Sequence, residues 1–137
     1  MGQDVALDGT GGSQHAQLVS GVTAGQIQIS HPNRAAEVAQ FFNTQAFVPT
    51  GQVAPGTYGN SGRGLISGPG FNNTDMSILK DFALVERLKL QFRVEAFNVF
   101  NQVNFDLPNS YVNSDSFGQI RSAQSGRVVQ LALKLLW

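Results

Sequence analysis

Residues 87–96 read RLKLQFRVEA. Leu88, Leu90, Phe92, Val94 and Ala96 share one parity, and Arg87, Lys89, Gln91, Arg93 and Glu95 share the other. Successive side chains of a strand point to opposite faces, so this alternation predicts a strand with one apolar and one charged face. Residues 126–137, GRVVQLALKLLW, repeat the pattern. There Val129, Leu131, Leu133, Leu135 and Trp137 lie on one face, with Gln130 and Lys134 on the other. A weaker third instance is TDMSILKDF, 74–82: Met76, Ile78 and Phe82 oppose Asp75, Ser77 and Asp81, while Leu79 and Lys80 break the alternation. The expected strands are therefore about 74–82, 87–98 and 127–137. Only ALVE separates the first two, whereas a long polar stretch separates the last two.

A soluble antiparallel sheet with one wet face is the commonest source of such alternation. Three features favour a membrane barrel instead. Soluble strands cluster near five or six residues, whereas a tilted strand crossing a bilayer needs roughly nine to eleven, as these do. The connections alternate short and long, as periplasmic turns and extracellular loops do. Aromatics gather at strand ends, Phe82 and Trp137 at one and Phe97 and Phe100 at the other, where interfacial girdles belong. The fold class expected is all-β: antiparallel strands of a transmembrane β-barrel, preceded by a long and mostly irregular loop. Bacterial single-chain barrels need at least eight strands. The chain is thus read as a fragment, with Met1 an internal methionine or an arbitrary start.

Composition agrees. The chain has 42% hydrophobic residues but only 13% charged ones, and a net charge of zero. That charged share is about half the usual one, and no basic patch points to nucleic acid. Cysteine is absent, which removes disulfides and thiolate metal sites. No apolar run is long enough for a transmembrane helix, and MGQDVALDGTGG has neither a basic nor an apolar leader region. Residues 1–73 are dense in glycine and proline and read as an extracellular-loop segment. Within them QLVSGV and GQIQIS are candidate short strands, and NRAAEVAQFF holds one or two helical turns capped by Asn33.

Motifs for chemistry are weak. SILK matches S-x-x-K, but in a strand Ser77 and Lys80 point to opposite faces. GRGLISG lacks the strand–helix context of a phosphate loop. His15 and His31 have no third ligand at metal spacing, so they read as loop histidines. The oxygen-rich LDGTGGSQ and NSDSFG do not fit a calcium-loop pattern. No enzyme activity, cofactor or metal site is expected. Arg87, Lys89, Gln91, Arg93 and Glu95 are expected to face a barrel lumen, solvating it and meeting a plug in preference to contacting substrate.

The stretches YGNSGRGLISGPGFNNTDMSILKDF and LQFRVEAFNVFNQVNF go beyond generic alternation. Through them residues 41–137, and more loosely 1–40, resemble the C-terminal end of TonB-dependent outer-membrane receptors. The nearest group is the Oar-like one, whose members carry a carboxypeptidase-regulatory-like domain at the N-terminus. The resemblance implies location in the bacterial outer membrane and active uptake of a large or scarce solute, energised through TonB. Val129, Leu131, Leu133, Leu135 and Trp137 would then form the β-signal read by the barrel-assembly machinery. Implied partners are the rest of the barrel, its plug, outer-membrane lipid and, through the missing N-terminal part, TonB. No ligand residues carry over, because members differ most in their loops. The alternative is a soluble secreted β-rich interaction or carbohydrate-binding module of adhesin type.

The hairpin register expected from the pattern pairs Phe82 with Leu88, Ile78 with Phe92 and Asp81 with Lys89. It also sets Asp75 beside Glu95, a like-charge cost that leaves a two-residue shift open. A one-residue slip is excluded, since it would turn Arg93 to the apolar side. The last strand should place Trp137 near Leu88, Leu135 near Leu90 and Leu133 near Phe92. On its own the chain is expected to aggregate, or to leave residues 1–60 largely disordered.

Overall fold

A computed structural model describes residues 6–7 and 15–137. LDGTGGSQ falls almost wholly outside the described residues. The described chain divides into two compact units: one comprises residues up to Gly68 together with Asp106–Ser122, the other Pro69–Phe105 with Ala123–Trp137.

The second unit carries the sheet. Strands β1 (Met76–Val85), β2 (Leu88–Phe97) and β3 (Val128–Leu136) pair antiparallel in the order β1-β2-β3. The fold is all-β, as the alternation implies. At about 3.3 Å per residue and a tilt near 40°, a ten-residue strand spans roughly 25 Å, the height of an outer-membrane apolar band.

The β1–β2 register differs from the expected one by two residues. Phe82 pairs with Leu90, Ile78 with Val94 and Asp81 with Gln91. The parity is unchanged, so every side chain keeps its face. The observed register sets Ser77 across from Glu95 in place of Asp75, which removes the like-charge contact. It also lengthens the hairpin: β1 continues to Val85 and the turn is only Glu86-Arg87. Arg87, expected on the polar face of the strand, therefore lies in the turn. Neither turn residue has a positive φ, so the primed turns that match strand twist are not used. A bulge between Ala83 and Val85 supplies the added twist and brings Val85 across from Leu88. For β3, Leu135 pairs with Leu90 and Leu133 with Phe92, as anticipated. Trp137 lies just beyond the last paired residue, Leu136, and is almost fully exposed.

The first unit is mostly irregular in backbone, yet it has a core. Helix α1 (Ala24–Ile27) replaces the strand expected in GQIQIS, and Gln28 keeps a single bridge to Phe42. Leu18 in QLVSGV likewise forms one isolated bridge, to Phe47. Helix α2 (Arg34–Ala39) starts at Asn33, whose side chain accepts from the Ala36 N–H at 2.9 Å and satisfies one orphan donor of the first turn. Ile27, Phe42 and Ala46 are buried, and the rings of Phe42, Phe47 and Phe117 meet edge-to-face with centroids 5.1–5.6 Å apart. Backbone bonds tie the two segments: Phe41 N–H to Gly118 O at 2.7 Å and Ile120 N–H to Val38 O at 3.0 Å. Gly118 has φ +78°, and a Cβ there would fall 2.6 Å from the Thr44 methyl, so glycine is favoured on both counts. Over its described residues the loop stretch thus holds a small aromatic core. Phe117 and Ile120, from residues 106–122, complete that core.

Candidate functional site

The observed register sorts the sheet into two chemically distinct faces. Met76, Ile78, Lys80, Phe82 and Val85 of β1 share a face with Leu88, Leu90, Phe92, Val94 and Ala96 of β2 and Val129, Leu131, Leu133 and Leu135 of β3. The outer strands of this face are open: Ile78 is 62% exposed, Leu131 70% and Leu133 68%. Apolar area on this scale marks an interaction surface, because isolated soluble domains rarely leave so much of it uncovered.

The other face carries Ser77, Leu79, Asp81 and Ala83 of β1, with Lys89, Gln91, Arg93 and Glu95 of β2 and Gln130, Ala132 and Lys134 of β3. Its two carboxylates are both engaged, and three cations share the face. Arg93 Nη2 meets Glu95 Oε1 at 2.7 Å, and Gln91 Nε2 donates to Asp81 Oδ1 at 2.9 Å. Asp81, Gln91 and Lys134 form one cross-strand row. Arg93 Nε is enclosed and has no partner among the described residues. Ser77 and Lys80 sit on opposite faces, which disposes of the S-x-x-K geometry. No grouping of three or more metal-ligating side chains occurs among the described residues. His15 Nδ1 is engaged with Ser61 O and His31 Nε2 with Gln40 O, both at 2.7 Å. In NSDSFG the hydroxyls of Ser114 and Ser116 both accept from Asn109 Nδ2.

What holds the loop end of the sheet together was not legible from residue pattern alone. In FNVFNQVNF (97–105) three asparagines recur at every third position, and each ties down a different stretch of backbone. Asn98 is buried at φ +51°, a conformation asparagine tolerates better than most residues. Its N–H donates to Asp75 Oδ1, its Oδ1 accepts from Gln102 N–H, and its Nδ2 donates to Gln102 O, all at 2.9 Å. Asn101, at φ +53°, accepts the Arg127 N–H at 3.0 Å and so fixes the entry to β3. Asn104, also buried, pairs its amide with both the N–H and the C=O of Asn72, each at 2.9 Å, as a strand neighbour would. A long loop can thus leave the sheet without stranding buried backbone groups. Beside this neck lies a groove of about 230 Å³, whose lining includes Phe71, Phe97 and Val128 with Asp75, Asn98 and Asn104.

Comparison with known proteins found no match among curated proteins and none among solved structures. A family described as an outer membrane beta barrel domain matches residues 1–130. Its coverage takes in both the loop unit and most of the sheet. Strands of nine or ten residues, one continuous exposed apolar face, one polar face and this family match converge: the chain belongs to the outer membrane β-barrel domain family and lies in the bacterial outer membrane.

Proposed function

We propose that this chain forms part of a TonB-dependent outer-membrane receptor that takes up a large or scarce solute, with its three strands standing at the C-terminal end of the barrel. The observation that carries the reading is the pairing of a two-faced three-stranded sheet with a large loop unit that has its own aromatic core. A barrel that only anchors itself needs little beyond short connections, whereas folded loops at a barrel mouth are where solutes are captured. In this reading the apolar face meets lipid, and Lys89, Gln91, Arg93 and Glu95 line the lumen and face the plug. Val129, Leu131, Leu133, Leu135 and Trp137 act as the β-signal for the assembly machinery, which would hold β3 as an added strand. The role is transport, with no catalytic step. A soluble secreted module is incompatible with membership of an outer-membrane family.

The test uses the gene and the complete protein. Its reading frame should encode a plug domain and a TonB-binding segment, and the purified receptor should retain the periplasmic domain of TonB on a column. A frame that encodes a barrel with no plug, or a receptor that does not bind TonB, would overturn the transport reading while leaving the barrel assignment intact.

A further inference from the structure

Lys80 is the only charged residue among the described residues of the apolar face. It occupies the middle row of the sheet, across from Phe92, with Leu133 next in that row. Its same-face neighbours along β1 are Ile78 and Phe82. Its side chain has no hydrogen bond or ion pair among the described residues. A lysine on the lipid side of a barrel is most costly near mid-depth. The nearer end of β1, Met76, is four residues away, or roughly 10 Å of depth at a tilt near 40°. That distance exceeds what a four-carbon stem spans, so reaching toward the headgroups does not fully resolve the charge.

On the β2 side the place beside Lys80 is filled by Phe92. The other side is the free edge of β1, and only from there can a lateral partner come. We propose that the strand pairing with the free edge of β1 carries an aspartate or glutamate on the lipid-facing side opposite Lys80, and that this ion pair sets the register of the seam. The local sequence explains the need. Leu79 and Lys80 invert the alternation at the centre of β1, and it is alternation that normally specifies register where one face is apolar. A one-residue slip would turn the carboxylate to the other face, and a two-residue slip would carry it to a diagonal position roughly 7–8 Å away. The inference rests on the apolar face pointing to lipid and not on transport.

The test uses the complete outer-membrane protein, with heat-modifiable barrel in isolated outer membranes as the readout. Lys80→Met removes the cation and leaves the carboxylate alone in lipid, so folded barrel should fall by about tenfold or more. Lys80→Arg, which keeps the charge, should stay within about twofold of wild type. Ile78→Met, on the same face and strand, should change little. An unpaired lysine predicts the opposite sign, because deleting a lone charge from the lipid face stabilises the barrel. Unchanged or increased barrel for Lys80→Met would therefore overturn the ion pair, as would an equal loss for Ile78→Met. Absence of the wild-type protein from the outer membrane would overturn the face orientation, and this inference with it.

Discussion

Asn98 offers the sharpest test of how the loop end of the sheet is held. Its side chain makes two good bonds with Gln102, at 2.9 Å each, and its backbone sits at φ +51°. Each bond contributes about 1 kcal/mol net, and a Cβ-bearing residue other than asparagine costs about 1 kcal/mol more in the left-handed region. Asn98→Ala should therefore weaken the neck by about 3 kcal/mol. Asn98→Gly loses the same bonds but not the conformational ease, so it should be milder by about 1 kcal/mol. In both variants the residue-98 N–H still donates to Asp75, so the loss isolates the side chain. The assay is amide hydrogen exchange on the complete barrel in detergent, followed at Gln102 and at Val99, whose N–H bonds Thr74 O at 2.9 Å. A 3 kcal/mol loss should speed exchange there by about a hundredfold for the alanine variant, with the glycine variant about fivefold slower than that. Equal exchange in wild type and Asn98→Ala, or a glycine variant worse than the alanine one, would refute the account.

Three further outcomes are expected. Cysteines at 82 and 90 should cross-link in the folded barrel and cysteines at 82 and 88 should not, since the observed register places Leu90 across from Phe82; the reverse, seen by gel shift, would restore the register expected from the sequence pattern. Leu131→Arg, in the open part of the apolar face, should destabilise the barrel by about 2–4 kcal/mol in urea titrations into lipid, while Gln130→Arg next to it should stay within about 0.5 kcal/mol; similar losses at both would deny the two-faced assignment. Deleting Trp137 in the complete receptor should lower folded barrel in the outer membrane far more than Trp137→Phe does, because the aromatic ring is the feature the assembly machinery would read; wild-type levels after the deletion would sink the β-signal reading.

The alternation in 87–96 and 128–136 was enough, by itself, to determine strand parity, the division into an apolar and a polar face, and strands long enough to cross a bilayer. Period-two patterning reports faces directly, because a strand residue has only two places to point. The tertiary structure decided what parity leaves open. The hairpin could shift by two residues without moving any side chain to the other face, so its register was settled by the bulge at Ala83/Val85, the Glu86-Arg87 turn and the removal of Asp75 from Glu95. The core around Phe42, Phe47 and Phe117 was invisible because its members come from segments far apart in sequence and share no period. The asparagines at 98, 101 and 104 were in plain view, yet their task depends on which backbone groups the loop leaves unpaired. That is fixed only when the turn closes Gln102 onto Asn98 and the fold brings Asn72 and Arg127 beside Asn104 and Asn101.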